Sequence, residues 1–159
     1  MYICFVADSF SQIYIQLVFV VRGREKLIRE AWEEELFKYI SGIITAKGQK
    51  LIAINGVEDY IHILIGMKPS CRLSDLVKEI KFSSGGFIND KKFIKKQFRW
   101  QEGYGAFSYS QSAIKNVINY IQNQKEHHRK TTFEEEYRDF LRKFDIEYQE
   151  KYFNKGLDS

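Results

Sequence analysis

The alternation of hydrophobic and polar positions predicts strands and a helix in the first half of the chain. Residues 13–21 alternate and are rich in β-branched and aromatic side chains, which is typical of a strand. Residues 25–46 instead carry apolar side chains three and four positions apart, which indicates a helix. Two more strands, 50–57 and 60–67, are joined by a tight connection at 56–59. The chain therefore opens in the order strand, helix, strand, strand.

The pattern changes again after the only proline, Pro69. A second helix is predicted to begin near Leu73, and we expect Gly85 and Gly86 to weaken or end it, because glycine disfavours helix interiors. The segment 91–104 is basic and aromatic and is predicted to be a loop.

The last elements are one short strand and two helices. Residues 106–110 are a strand candidate, and a helix capped by Ser110 is predicted to run to about 129. Thr132 and Glu135 have the spacing of a capping box, which predicts the start of a further helix that ends near 144.

The order β-α-β-β-α-β-α-α predicts an α+β fold of the ferredoxin-like type. Such split βαβ units close a four-stranded antiparallel sheet with helices on one face, and here C-terminal helices are added. No linker-like segment divides the chain, so we expect one domain over residues 1–159. Its core is expected at about 12–145, followed by a C-terminal tail at 146–159.

Composition excludes several classes of protein. With 44% hydrophobic and 29% charged residues, the chain has the balance of a globular protein. Its apolar runs are far shorter than the ~18 residues of a membrane helix, so no membrane association is expected. Cys4 and Cys71 are far apart and form no CxxC pair, which predicts a reduced, cytoplasmic protein without a disulfide framework or zinc knuckle. The GxxxxGK[ST], HExxH and GxSxG motifs are also missing.

The net charge of +4 is unevenly distributed. Residues 68–99 hold nine basic and three acidic side chains, whereas residues from 131 onward hold five basic and eight acidic ones. Aromatic residues lie among the basic ones, and this combination favours nucleic acid, because cations bind phosphates while rings stack on bases. The alternative is that the aromatic residues are core and the lysines only solubilise the surface. The candidate DNA contacts are Lys78, Lys81, Lys92, Lys95, Arg99 and Trp100.

Two segments carry candidate chemistry. The period of two along the third strand places Tyr60 and His62 on the face opposite its isoleucines. In the helix predicted from Ser110 to about 129, Tyr120, Gln124 and His127 are related by i, i+4 and i+7 and share one stripe. His62 is either a structural histidine or part of a pocket, and the stripe is either a solvated face or a nucleophile with metal ligands.

Five ordered motifs carry a resemblance to a known family. They are IYIQLVFVVRGRE, INGVEDYIHILIGM, LSDLVKEIKFSS, WQEGYGAFSYS and VINYIQNQKEHH. In this order they resemble the single-tyrosine HUH transposases of bacterial insertion sequences, of the TnpA type, and the related REP-associated tyrosine transposases. The resemblance spans about residues 12–145.

The resemblance implies a metal-dependent transposase that cleaves and rejoins single-stranded DNA at hairpin-bearing ends through a 5′-phosphotyrosine intermediate. Carried over by position, Tyr120 is the nucleophile, while His62 and Gln124 are metal ligands. The implied metal is Mg²⁺ or Mn²⁺, and the implied partners are hairpin or single-stranded DNA and a second copy of the chain. In the family, the tyrosine helix of one subunit can complete the site of the other.

One departure from the family motif concerns the metal. Tyr60 stands where the first histidine of the His-hydrophobic-His motif is expected, and a neutral phenol is a poor ligand. Tyr60 is therefore the third, weak candidate ligand, unless Glu58, Asp59 or His127 compensates. This substitution favours a second hypothesis, a catalytically impaired protein of the same fold that still binds hairpin DNA. A third hypothesis is a ferredoxin-like RNA-binding module.

Overall fold

Four strands form a single antiparallel sheet in the order β2-β3-β1-β4. The structure, a computed structural model, describes residues 10–144 and 146. The strands are β1 (Ile13–Val20), β2 (Lys50–Gly56), β3 (Tyr60–Met67) and β4 (Gly105–Tyr109). The helices are α1 (Glu30–Ala46), α2 (Leu73–Lys91), α3 (Ile114–Gln122), α4 (Gln124–Lys130) and α5 (Phe133–Lys143), with short 3-10 turns at Arg22–Arg24 and Gln111–Ala113. The predicted ferredoxin-like α+β fold is confirmed.

The main hydrophobic core lies between one face of the sheet and the helices α1 and α2. The strands contribute alternate residues, as the period of two requires. The two helices contribute the apolar stripes that were recognised from their spacing. The fully buried members of this core include Leu17, Phe19, Ile61, Ile63, Ile65, Leu36, Ile40, Ile44 and Ile80.

The C-terminal helices cover the other face of the sheet. Helix α3 packs on β2 and β3 through Ile114, Val117 and Ile121. Helix α5 packs through Phe133, Phe140 and Leu141 against Val18, Tyr60 and Phe107. Every residue of β3 from 60 to 65 is consequently buried, which places His62 inside the protein with 1% of its surface exposed.

The structure differs from the predicted element boundaries in three places. Helix α1 begins at Glu30 rather than 25, because the chain from 25 to 29 is not helical and places Ile28 in the core before the first helical turn. Helix α2 continues through Gly85 and Gly86 to Lys91. Gly85 is buried, and a Cβ there would approach the Trp100 ring no closer than 4.0 Å.

The third difference is a break in the helix that was predicted over 110–129. The backbone leaves helical geometry at Asn123, which divides the segment into α3 and α4. Ser110 makes no capping hydrogen bond. The capping box of α5 is confirmed: the Glu135 N–H donates to Thr132 Oγ1 at 3.2 Å, and the Thr132 N–H donates to Glu135 Oε2 at 3.3 Å.

Within residues 10–144 and 146, no helix is both long and apolar enough to cross a membrane. Of the predicted tail at 146–159, residues 147–159 lie outside the described residues.

Two glycines provide a test of this packing. A Cβ at Gly56 would lie 2.5 Å from the backbone oxygen of Tyr60, whereas a Cβ at Gly86 meets no atom within 4 Å. We expect Gly56→Ala to lower the free energy of unfolding by about 1–3 kcal/mol, as overpacking does. Gly86→Ala should raise it by about 0.5–1 kcal/mol, because alanine is the better helix former. Urea unfolding of both variants measures the two values, and a stable Gly56→Ala protein would contradict the tight hairpin.

Candidate active site

His62 is held from one side by a hydrogen-bonded pair on the neighbouring strands. Gln16 of β1 is fully buried, and its Nε2 lies 2.8 Å from His62 Nδ1. The Tyr109 hydroxyl of β4 donates to Gln16 Oε1 at 2.8 Å. Burial raises the pKa of Tyr109 to about 12, so this phenol stays a neutral donor. The chain of contacts fixes the imidazole plane and leaves Nε2 directed away from Gln16.

Tyr120 of α3 lies on the other side of the same imidazole. Its ring stands edge-on to the His62 ring, with 5.7 Å between the centroids. The apolar face of α3 determines this position, because Val117 and Ile121 anchor the helix on β2 and β3. The candidate nucleophile and the candidate metal-binding histidine therefore come from one chain and contact each other.

Gln124 is fully buried at the start of α4. Its Nε2 donates to the Tyr120 carbonyl oxygen at 3.4 Å. Its side chain also hydrogen-bonds with the Tyr120 phenol. This contact lowers the pKa of Tyr120, but burial and Glu136 raise that pKa by more. Gln124 Oε1 is buried without a hydrogen-bond partner. An orphaned buried carbonyl oxygen is costly unless something binds it. This oxygen and the His62 nitrogen are donors of the kind that Mg²⁺ or Mn²⁺ accepts, so the residues present fit a divalent cation.

Glu136 of α5 is the residue that the sequence-based hypothesis missed. Its carboxylate is 4% exposed and accepts hydrogen bonds from the hydroxyls of Tyr60, at 3.0 Å, and Tyr120. Its Oε1 also lies 2.9 Å from His62 Nε2. A signal for it existed in the sequence: Glu136 lies three residues after Phe133 and four before Phe140, on the apolar stripe of α5.

The ionisation states follow from burial and from this carboxylate. Burial and the neighbouring Glu136 raise the pKa values of Tyr60 and Tyr120 well above their ordinary value. Burial alone would raise the pKa of Glu136, but the contacts with His62, Tyr120 and Tyr60 together hold it below its ordinary value. At neutral pH the centre of the site is therefore an ionised carboxylate between two neutral phenols.

Tyr60, the third candidate ligand, is fully buried. Besides donating to Glu136, its hydroxyl lies 3.2 Å from His128 Nδ1. Asp59 and His127 were among the residues considered as replacements for the missing histidine ligand. Asp59 Oδ2 lies 3.9 Å from Arg24 Nε, and His127 Nε2 lies 4.0 Å from Glu136 Oε2. Among the described residues, no three His, Cys, Asp or Glu side chains are grouped as a metal site. A metal here would therefore need the amide of Gln124 as well.

The candidate DNA contacts fall into two groups. Lys78, Lys92, Lys95 and Arg99 are exposed. Lys81 Nζ instead donates to the carbonyl oxygens of Gln101 and Gly103, both at 2.7 Å, and burial lowers its pKa.

Trp100 belongs to the main core, where its Nε1 donates to Ser84 Oγ at 2.9 Å. Its ring is therefore not on the surface, where a side chain that stacks on a base is expected. Phe82 on α2 is an exposed aromatic side chain near this region, with 81% of its surface accessible.

Comparison with known proteins agrees with this arrangement. Residues 9–124 match the family model of IS200-like transposases. The chain belongs to this family. Its fold resembles that of a Deinococcus radiodurans R1 protein provisionally described as a transposase, with a TM-score of 0.62 and 21% identity over 77% of this chain and 98% of the other. It also resembles a REP-associated tyrosine transposase bound to a REP hairpin, with a TM-score of 0.59 and 12% identity over 79% and 74% of the two chains. No curated protein sequence matches significantly.

Membership of the IS200-like transposases identifies the general function but not the role of each residue. The family match ends at residue 124, so it includes Tyr60, His62, Tyr120 and Gln124. Glu136 lies beyond the match, on α5. Its place in the site is thus known from the structure of this chain alone.

The contacts of Gln16 yield a prediction about stability. Gln16→Leu leaves Tyr109 and His62 without a buried partner and should cost about 1–3 kcal/mol of unfolding free energy. Tyr109→Phe, which removes one hydrogen bond, should cost about 1 kcal/mol. Because the two residues share that bond, the double variant should lose less than the sum of the single losses.

Denaturant unfolding of the three proteins measures this coupling. Tyr14→Phe is the matched control, because the Tyr14 hydroxyl donates to Gln111 Oε1 at the exposed end of the same strand. Its effect should be within about 0.5 kcal/mol. Strict additivity of Gln16→Leu and Tyr109→Phe would contradict the hydrogen-bonded pair.

Proposed function

We propose that this transposase cleaves and rejoins single-stranded DNA at hairpin-bearing ends, with Tyr120 as the nucleophile. The observation that carries the proposal is the contact between Tyr120 and His62 of the same chain, in a cluster that also contains Gln124. The hairpin-bound REP-associated transposase, which shares the fold, supports hairpin DNA as the substrate. The resemblance to the single-tyrosine transposases implies these roles for all three residues.

The chemistry is a transesterification in which no net bond energy is lost. The Tyr120 oxygen forms a bond to the phosphorus and loses its proton, while the bond from phosphorus to the 3′ oxygen breaks. The product is a 5′-phosphotyrosine and a free 3′ hydroxyl. Attack by a 3′ hydroxyl on this link reverses the step and joins the strands without a nucleotide cofactor.

A divalent metal is part of the proposal. His62 and Gln124 would hold it, and Mg²⁺ or Mn²⁺ suits an imidazole together with oxygen donors. When bound, such a cation supplies a Lewis acid that polarises the phosphate. The buried position of both side chains keeps their orientations fixed before DNA binds.

The proposed DNA surface comprises the exposed cations Lys78, Lys92, Lys95 and Arg99 together with Phe82. Lysine and arginine would bind phosphates without reading the sequence, and the accessible phenyl ring would stack on an unpaired base.

The proposal also includes a homodimer, which the resemblance suggests, and a cytoplasmic location, which the composition suggests. The contact between Tyr120 and His62 within one chain means that the site does not need a second copy to bring these two residues together.

A second candidate function is hairpin-DNA binding without cleavage. The observation that favours it is Tyr60, a neutral phenol with a raised pKa at the position of a metal-binding histidine. The RNA-binding module is less well supported. Proteins of that class stack bases on the open face of their sheet, whereas α3 and α5 cover this face here.

The nucleophile is tested with a covalent-adduct assay. Hairpin-bearing single strands from the DNA flanking the gene are incubated with protein and Mg²⁺ or Mn²⁺, and then with EDTA, before a denaturing gel. We expect a metal-dependent protein–DNA species that Tyr120→Phe abolishes and Tyr104→Phe, a change at an exposed tyrosine, leaves intact. An adduct with Tyr120→Phe would refute the assignment. Tight hairpin binding without any adduct would support the second candidate function.

The DNA surface is tested through the salt dependence of binding. Lys78→Ala and Lys95→Ala should each weaken hairpin binding and reduce the slope of log K against log salt by about 1. The control is Lys38→Ala on α1, where an exposed lysine pairs with Glu34. Fluorescence anisotropy at several salt concentrations gives the slopes. Unchanged slopes for Lys78→Ala and Lys95→Ala would place the DNA on another surface.

A further inference from the structure

We propose that Glu136 is the third protein ligand of the metal, taking over the function of the histidine that Tyr60 replaces. This inference rests on the proposed function, because it concerns the same site. It assigns a residue that lies outside the family match, which ends at residue 124. The candidate donor set becomes His62 Nε2, a Glu136 carboxylate oxygen and Gln124 Oε1.

The first argument is geometric. His62 Nε2 and Glu136 Oε1 are 2.9 Å apart, yet Nε2 is buried without a partner in hydrogen-bond geometry. Two ligands bound at right angles to one cation, each at about 2.0–2.1 Å, are separated by roughly 3 Å. The same distance is ordinary for an N–H···O hydrogen bond, but the missing hydrogen-bond alignment of Nε2 suits two atoms directed at a common third point.

The second argument is the charge of the carboxylate. Glu136 is buried, and taking a carboxylate out of water costs several kcal/mol unless positive charge and hydrogen bonds compensate. Within the part of the chain that the structure describes, the basic groups within 4.0 Å of it are the imidazoles of His62 and His127. A divalent cation beside His62 would add positive charge next to this carboxylate and stabilise its ionised form further.

The third argument is the support around each donor. Metal ligands in proteins are oriented by partners that hydrogen-bond their remaining atoms. Gln16 contacts Nδ1 of His62, and the Tyr60 hydroxyl donates to Oε2 of Glu136. Gln124 is held through its Nε2, which donates to the Tyr120 carbonyl oxygen, and this leaves its buried Oε1 without a partner. Tyr60 then acts as a positioning residue that holds the new ligand.

A rival interpretation is that Glu136 is a plug, a side chain that occupies the site and blocks Tyr120. The two ideas predict opposite effects of neutralising the carboxylate. A ligand is needed for metal affinity, so its loss weakens binding. A plug hinders access, so its loss leaves metal affinity unchanged or raises it and increases adduct formation.

The test measures Mn²⁺ affinity without DNA, by titration calorimetry and by the electron paramagnetic resonance signal of free Mn²⁺. Glu136→Gln keeps the shape of the side chain and should weaken Mn²⁺ binding by at least about tenfold. The matched control, Asp139→Asn, removes an exposed carboxylate from the same helix and should leave the affinity unchanged. Unchanged or tighter binding in Glu136→Gln, or no saturable Mn²⁺ binding by the wild-type protein, would overturn the proposal.

A rescue experiment tests the exchange of ligands directly. Adding Tyr60→His to Glu136→Gln returns an imidazole to the position of the family's first histidine, and we expect it to restore most of the Mn²⁺ affinity. Failure of this rescue in a folded double variant would count against the exchange. Circular dichroism checks folding. Should Glu136→Gln not fold, Glu136→Asp, which keeps the charge on a shorter side chain, takes its place, and wild-type affinity in that variant would overturn the proposal.

The adduct assay separates this proposal from the proposed function. Loss of Mn²⁺ affinity in Glu136→Gln, with no adduct from any variant, would retain the metal site and reject the cleavage reaction. An adduct from the wild-type protein that persists in Glu136→Gln at unchanged Mn²⁺ affinity would retain the reaction and reject Glu136 as a ligand.

Discussion

The burial of β3 on both faces is the constraint on which the site depends. A central strand covered only by α1 and α2 would leave His62 in water, where an imidazole needs no partner from the protein. Here α3 and α5 cover the second face, and every polar group on it has to find its partners within the protein. Gln16, Tyr60 and Glu136 are such partners, and each is at most 4% exposed.

The stability of α5 is therefore linked to the chemistry of β3. The helix has a capping box at Thr132, three glutamates in its first turn and two basic residues in its last turn, all of which suit the helix dipole. These features favour the helix, and its apolar stripe then decides which glutamate faces the sheet. Glu134 and Glu135 lie nearer the surface, while Glu136 enters the site together with Phe133 and Phe140.

The sequence allowed the sheet, the two main helices and the capping box to be predicted, because each depends on local spacing and composition. It did not allow the break at Asn123 to be predicted, since no glycine or proline marks it and the position of α4 depends on packing against the sheet. Glu136 was missed because it is one of three consecutive glutamates. The helical phase that separates it from its neighbours is present in the sequence, but the polar surface that it meets is formed by residues more than 70 positions away, such as Tyr60 and His62.

In the basic region, too, the sequence alone did not show which aromatic residues are buried. Composition alone suggested that its aromatic residues contact bases, yet Phe98 and Trp100 are core residues and Phe82 is exposed. Along α2 the distinction follows from periodicity, because Ile80 and Ser84 face the core and Phe82 lies between them on the outer side. For Phe98 and Trp100 no regular element supplies a period, so only the tertiary structure shows their direction.

Tyr60 connects these observations. A neutral histidine at this position would offer an acceptor nitrogen, whereas the phenol, with its raised pKa, donates a hydrogen bond to an acceptor. Its acceptor is Glu136, which also contacts His62 and Tyr120. A buried hydroxyl needs a hydrogen-bond acceptor nearby, and α5 provides one. The phenol of Tyr60 and the carboxylate of Glu136 thus support each other in this site, because each is a buried hydrogen-bond partner of the other.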